Sequence, residues 1–445
     1  FGINENSLSY NGAIYNLDYL KGFLQGQKFI GHSDTEILFK LLEQYSIDML
    51  SLIEGMFAFS YWDNQHEALY LVRDTFGIKP LYYYDDGEKI IYSSEIKGIL
   101  SQAGLDKTVD LSSIDQYLSF GYIQTPSTGF EKIKQLLPGH YLKIDQNGLK
   151  LKEFSNLVRE PQKFDDPLHA FKTELGNSVA SHLIADTPIT SFLSGGIDSS
   201  SLAIELQKLN SELNLTHYSF NTKDFDESER AIKFGARINA NIDIIKSNKG
   251  IELNDLRKIC YFCDDLIADP SLIPSFFLCE GTAKKYKVAL SSDGGDELYH
   301  GYHTHLASKI AGLIPLSIVP LVQIGLNLVV KITPNFGRQY PLKEMIERFS
   351  NYLHLPKNLR HLSWRRFFSR ETKKYLYSDL LNRYVNDEQY KNLPNECALS
   401  ELEIKSYLES NLLKKIDRMS MAHGLEVRVP LISSPFMKFS LGLDQ

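Results

Sequence analysis

Cysteine is scarce in this chain. The four among its 445 residues, Cys260, Cys263, Cys279 and Cys397, are too few and too scattered for a secreted disulfide framework, so a reducing, cytoplasmic setting is expected. Cys260 and Cys263 have CxxC spacing, but no second pair completes a zinc site. An excess of positive charge is also missing. Lys and Arg number 48 against 55 Asp and Glu, a net charge of −7, which disfavours nucleic acid or an anionic membrane as partner and points to small-molecule substrates. Long hydrophobic runs are absent too. Residues 312–330, GLIPLSIVPLVQIGLNLVV, come nearest to the roughly 20 apolar residues of a span, but two prolines, Ser317, Gln323 and Asn327 interrupt them. No integral membrane span is expected there; a buried or surface-lying helix pair is, with peripheral membrane contact as the lesser option.

The chain opens at FGINENSLSY with no initiator methionine and no signal peptide, and so reads as a piece of a longer protein. It has no internal repeat or low-complexity tract. It also lacks GxxxxGK[ST], so transfer of a γ-phosphate is not indicated.

What is present falls into two halves with different grammar, as a prior of roughly 150 residues per domain allows. Residues 8–100 carry short alternating segments such as GMFAFSYWD and EALYLVRD, with Asp86-Gly87 as a hairpin turn, which indicates antiparallel sheet. SDTEILFKLLEQY reads as a helix begun by Ser33 or Asp34. After a polar, proline-interrupted stretch at 155–167, strand-then-helix units take over: TPITSFL then SSSLAIELQKL, with LTHYSFNT and KVALSSD as further short strands. That pattern fits a parallel sheet with ligands at its strand C-termini. From about residue 300 the sequence is mostly helical.

Two turns carry the chemistry. In SFLSGGIDSSSLAIELQKLN (191–210), a Ser-Gly-Gly turn joins a strand to a helix N-terminus, where free backbone N–H groups meet anions. Gly195 and Gly196 let the backbone approach closely, and Ser194, Ser199 and Ser200 add hydroxyl donors. The cradle suits a pyrophosphate, and Asp198 beside it makes sense once a magnesium ion lies between them. Taken alone, the same turn could merely cap a helix. In VALSSDGGDELYHGY a strand runs into Asp293-Gly294-Gly295-Asp296-Glu297. Asp296 is the candidate second magnesium ligand and Asp293 the candidate general base; a solvated acidic turn is the plainer reading, applied first to Glu297.

An ordered series of motifs spans nearly the whole chain: Asn11-Gly12-Ala13-Ile14-Tyr15-Asn16, Ser33-Asp34-Thr35-Glu36, Gly55-Met56-Phe57-Ala58-Phe59, Arg73-Asp74, Gly77-Ile78-Lys79-Pro80, Ser93-Ser94-Glu95, Leu137-Pro138-Gly139-His140, the two turns, Lys415 to Ala422 and Glu426 to Pro430. Together they resemble the glutamine-dependent asparagine synthetases. The resemblance implies an α+β Ntn-type glutaminase sandwich over residues 1–155, N-terminally incomplete. An α/β parallel-sheet ATP-pyrophosphatase domain with a mainly helical C-terminal part would follow over 166–445, itself C-terminally incomplete.

By the same resemblance Asn11 and Gly12 form the oxyanion hole of the glutaminase, Asp34 holds the α-amino group of glutamine, and Ala13 stands where the family has a glutamate on glutamine. The family's nucleophile is an N-terminal cysteine, and no cysteine here precedes Cys260. Leu193, Phe220, Ser291 and Ser292 would surround the adenosine of ATP. Ser194 to Ser199 would take its pyrophosphate, Asp198 and Asp296 Mg²⁺, and Asp293 the proton of attacking ammonia. The implied reaction adenylates a substrate carboxylate and amidates it with glutamine-derived ammonia, aspartate being the default acceptor; the resemblance also allows a homodimer. Arg73 and Asp74 read as fold-supporting, and Arg418 and Arg428 as either anion partners or buried ion pairs. Leu431-Ile432-Ser433 replaces the family's Phe-Leu-Asp. That change motivates a rival, amidation of a sugar carboxylate in surface-polysaccharide synthesis. A degenerate, non-catalytic homologue and an ammonia-only synthetase are compatible with the same residues.

Overall fold

Strict alternation builds the first sheet. In the segment GMFAFSYWD, Phe57, Phe59 and Tyr61 fall on one face and Ala58 and Ser60 on the other, and nearly all are buried, so the strand has a layer on each side. The computed structural model describes residues 2–3, 5–31, 33–156, 159–209, 214–219, 226–246, 250–333, 342–376 and 398–443. Its first nine strands are β1 (Gly2–Ile3), β2 (Asn6–Ile14), β3 (Gly55–Asp63), β4 (Ala68–Arg73), β5 (Tyr82–Asp85), β6 (Ile90–Ser93), β7 (Ile133–Gln135), β8 (His140–Asp145) and β9 (Gly148–Glu153). They form a six-stranded antiparallel sheet in the order β1-β2-β3-β4-β8-β9 and a three-stranded one in the order β6-β5-β7.

The helix Asp34–Tyr45 covers one face of the larger sheet, packing Ile37, Leu38 and Leu41 on Phe57, Phe59 and Val72. Ser33 caps it as expected, accepting from the Glu36 N–H at 3.2 Å. The opposite face, through Ala58, Leu71 and Leu142, meets Tyr83 of β5 together with Leu81 and Leu136, which flank β5 and β7 of the smaller sheet. Ile96 and Ile99 of a short helix close the outer side of that sheet over Tyr82 and Tyr84. The result is a helix, sheet, sheet, helix sandwich.

The second part is a parallel sheet of β10 (Ile189–Phe192), β11 (Asn214–Ser219), β12 (Asn241–Lys246), β13 (Val288–Leu290) and β14 (Glu426–Arg428), ordered β12-β11-β10-β13-β14. The chain starts at the middle strand, runs outward through β11 and β12, then returns to the other side at β13. Loops after β10 and β13 therefore emerge side by side at the point where the winding reverses, the usual ligand crevice of an open parallel sheet. Beyond residue 300 the described residues are mainly helical, with one strand, β14, which pairs with β13 in parallel, Ala289 opposite Val427.

Buried ion pairs lock the two parts together. Lys79 Nζ lies 2.8 Å from Asp417 Oδ1 and Arg73 Nη1 2.8 Å from Glu409 Oε1, all four side chains being almost fully buried. Arg73 further donates to the carbonyls of Gly77, Lys79 and Leu136. Arg418 donates to the Ser94 carbonyl and faces Asp264, while Arg428 donates to the carbonyls of His182 and Ile184 and pairs with Glu426. Of the two readings open for these arginines, the buried pairing is the one found.

Candidate active site

The loop after β10 folds onto its own hydroxyls. Ser194 Oγ lies 3.0 Å from Ser199 Oγ and accepts from the Gly196 N–H, and the Ser194 N–H donates to Ser199 Oγ at 3.2 Å. These bonds hold the turn open at the N-terminus of the helix Ile197–Leu209, where unsatisfied N–H groups favour an anion. Gly195 is needed there: its φ is +80°, and a Cβ would lie 2.8 Å from Arg230 Cβ. Leu193 is buried, its N–H on the Thr216 carbonyl and its own carbonyl accepting from His217 Nδ1. Phe220 lies outside the described residues.

The acidic turn after β13 meets this loop. Gly294, at φ +99°, begins the helix Gly295–Tyr299, and a Cβ on Gly295 would sit 2.4 Å from Asp198 Cγ. The Asp198 carboxylate thus rests against the backbone of the second turn. Burial and the neighbouring Asp296 and Asp293 charges push Asp198 up to about 6, and burial, partly offset by Arg365, raises Asp296. No Lys or Arg among the described residues pairs with Asp198. Hard carboxylate oxygens that repel one another, one of them without a basic partner, fit a divalent ion such as Mg²⁺. Ser291 Oγ donates to Asp293 Oδ2 at 2.6 Å and the Ser291 N–H to the Arg428 carbonyl, orienting the third carboxylate; Ser292 lies between them, half-buried.

Gly295→Ala is expected to destabilise the protein by about 1–3 kcal/mol, as forced overpacking does, with recovery of most of the lost Tm when Asp198 is shortened to Ala in the same chain. Thermal melts of the three variants check this.

Glu297 corrects the solvated-turn reading: it is 1% exposed, accepts from the Tyr302 hydroxyl, and burial pushes it up to about 7. Beneath it lies a network that the sequence did not signal. Glu403 accepts from Arg365 and His361, and Arg365 stacks over Tyr407 with its guanidinium carbon 3.8 Å from the ring centroid. His305, His361 and Glu403 have the spacing of a metal trio, but their protons argue otherwise. The Tyr302 N–H donates to His305 Nδ1, which leaves the ring proton on Nε2, 3.9 Å from Glu403 Oε1. Donors, not lone pairs, surround that carboxylate.

In the sandwich, Asn11 and Gly12 stand in a strand rather than in a turn. They lie inside β2, opposite Ala58 and Phe57, and Gly12 is required because a Cβ would come 2.1 Å from the Met56 carbonyl oxygen. Asp34 accepts from the Tyr10 hydroxyl at 2.8 Å and the Thr35 N–H at 2.7 Å, which ties it to the residue before Asn11. Ala13 is buried in the apolar core that joins the two parts. A cavity of about 260 Å³ lies at that junction, lined by Tyr15, Glu54 and Ile78 on one side and His182, Ile432 and Ser433 on the other. Burial pushes His182 down to about 3, so it is neutral, its ring 3.9 Å from that of Tyr15. Ser433 begins the helix Ser434–Gly442 and bonds Ser178 Oγ at 2.8 Å. It stands at the N-cap position but its side chain makes no capping bond, the hydroxyl being engaged by Ser178 instead.

A sandwich of antiparallel sheets is followed here by a parallel sheet whose Ser-Gly-Gly loop and acidic turn lie side by side at its reversal point, the two-part architecture of an amidotransferase domain joined to a synthase domain. The chain belongs to the asparagine synthase family, whose model matches residues 170–445, and a glutamine amidotransferase domain model matches residues 3–155. It is 31% identical over 444 residues to asparagine synthetase [glutamine-hydrolyzing] 1 of Bacillus subtilis, covering 95% of this chain and 67% of that protein. It is 26% identical to synthetase 3 of the same organism, covering 97% and 69%. A solved structure, the glutamine phosphoribosylpyrophosphate amidotransferase of B. subtilis, is similar over 56% of this chain and 63% of its own at 17% identity and a TM-score of 0.26, too slight a likeness to argue from.

Proposed function

We propose that this chain is an ATP-dependent carbon–nitrogen ligase that takes its nitrogen from glutamine, with the glutaminase at 1–155 and the synthetase at 166–445. One observation carries the reading: Asp198 of the anion loop rests on Gly295 of the acidic turn at the reversal point of the sheet. A substrate carboxylate attacks the α-phosphorus of ATP; the acyl-adenylate forms as the bond to pyrophosphate breaks, and the loop N–H groups with Ser194 and Ser199 retain the pyrophosphate. Mg²⁺ held by Asp198 and Asp296 would supply neutralising charge to the phosphates. Ammonia then attacks the acyl carbon, Asp293 takes its proton, and AMP leaves. Ile432 lines the cavity between the two parts and also packs on Gly294 of the acidic turn, so the cavity and that turn are one side chain apart.

Aspartate is the acceptor we favour, acting in the cytoplasm. Pyrophosphate release on mixing the protein with ATP, Mg²⁺, ammonium and either aspartate or a uronic-acid nucleotide decides the acceptor. Release with the sugar alone overturns aspartate, and release with neither favours a non-catalytic homologue. Asn11 is assigned to the oxyanion of glutamine hydrolysis. In the glutamine-competent enzyme, Asn11→Ala is expected to cut glutamine-dependent turnover about 10²–10³-fold, the usual loss for one oxyanion donor, while ammonium-dependent turnover stays within about twofold. Loss of both together would mean that Asn11 serves the fold rather than the oxyanion.

A further inference from the structure

The outer face of the helix pair after the acidic turn has no function in the scheme above. The helix His303–Gly312 and the helix Val319–Ile332 lie on either side of a break, and the longer units that contain them meet at 96°. Their inner sides are satisfied, Ala311 and Val319 packing with Leu353 and Trp364. On the outer side, Leu321, Ile324, Leu328 and Ile332 recur at helical spacing as one stripe, and Leu306, Ile310 and Leu313 as another, all 47–81% exposed. Leu316, in the turn between them, is 74% exposed and joins the stripes. Eight exposed aliphatic side chains on one helix pair are more than the scattered single apolar residues of an ordinary surface, and such a grouping marks an interaction site.

Charge selects the occupant. In a chain with more acids than bases, residues 298–343 contain no Asp or Glu and four bases, Lys309, Lys331, Arg338 and Lys343. Lys309 and Lys331 are exposed and stand on the two helices that carry the stripes. We propose that this face seats the protein on an anionic lipid surface, the aliphatic ridge entering the headgroup boundary and the lysines meeting lipid phosphates. A second copy is the poorer fit, because a two-fold contact would set this acid-free, lysine-bearing face against itself. A protein groove is poorer as well, since among the described residues the ridge is purely aliphatic and lacks the Trp, Tyr and Arg anchors of protein interfaces. The whole-chain charge, which disfavours an anionic surface, does not describe this segment.

Flotation of the full chain with vesicles of phosphatidylcholine alone, or of phosphatidylcholine with phosphatidylglycerol, tests it. At low salt binding to the anionic vesicles is expected to be about 30-fold tighter, from two lysines near the surface at about 1 kcal/mol each. Leu321→Glu with Leu328→Glu is expected to lower that binding about tenfold or more with an unchanged circular dichroism spectrum, both positions being solvent-facing. Lys309→Glu with Lys331→Glu is expected to abolish the preference for anionic vesicles. The proposal is overturned if neither vesicle binds, if both bind equally, or if the leucine variant floats like the parent. It is equally overturned if light scattering finds a dimer that the leucine variant dissolves, with no vesicle binding by the parent.

Discussion

Replacing Asp198 with Asn is expected to cut pyrophosphate release about 10²–10³-fold, the scale of a lost charge-stabilising group at a transferring phosphate, and to leave the fold intact. The two effects separate because the carboxylate is a burden to the folded chain on its own. Its ionised form is disfavoured in the native state by burial and by Asp296 and Asp293, with a value of about 6 against an ordinary 3.8. The native state therefore holds an extra proton between those values. The contribution of Asp198 to stability without divalent ions is greatest below about pH 4, falls as pH rises toward 6, and stays at the lower level above that. Asp198→Asn should flatten this slope and match or exceed the parent Tm at pH 7, and millimolar Mg²⁺ should raise the Tm of the parent but not of the variant. A variant that loses activity only by unfolding would remove Asp198 from the site. Asp296→Asn is expected to behave alike but with a smaller stability gain, since Arg365 already offsets part of its cost.

The second large effect lies in the sandwich. Asp74 is fully buried, and its carboxylate accepts the backbone N–H groups of Phe57, Phe76, Ile78 and Lys79 at 3.0–3.2 Å. Asp74→Ala would orphan all four donors, each worth about 1–3 kcal/mol of desolvation when unpaired, and would leave Arg73 with less opposing charge. These terms do not add fully; a loss of about 4–5 kcal/mol is expected, comparable to breaking a buried ion pair. Urea unfolding followed by circular dichroism should show the first transition at much lower urea, or a sandwich already unfolded at 37 °C. A change below about 1 kcal/mol would mean that the loop 74–79 rearranges to pair its own donors.

Local pattern made much of this legible in advance. The segment GMFAFSYWD coincides with β3, and Ser33 caps the helix it was expected to start, because period-2 burial and a capping hydroxyl are properties of neighbours in sequence. The two turns were readable for the same reason: paired glycines between a strand and a helix have few other uses. What stayed hidden depends on residues far apart. Lys79 and Asp417 look like ordinary charges until the fold buries them together. Glu426–Arg428 is too short to announce itself as a strand and becomes one only against β13. Glu297 reads as a surface acid, yet the helices beyond residue 300 cover it and supply Tyr302 as its donor.

That late strand also sets a schedule for biosynthesis. Leu290 ends β13 and Glu426 opens its neighbour β14, so at 5–20 residues per second the ribosome needs roughly 7–27 s to deliver the missing edge. Throughout that interval one side of the parallel sheet offers unpaired amides and carbonyls to any strand that arrives first, and the Arg428 carbonyl that anchors Ser291 does not yet exist. Nascent chains of this protein are thus most vulnerable to mispairing and chaperone capture while residues 291–425 are being translated, a stretch in which the sandwich is already free to close on its own.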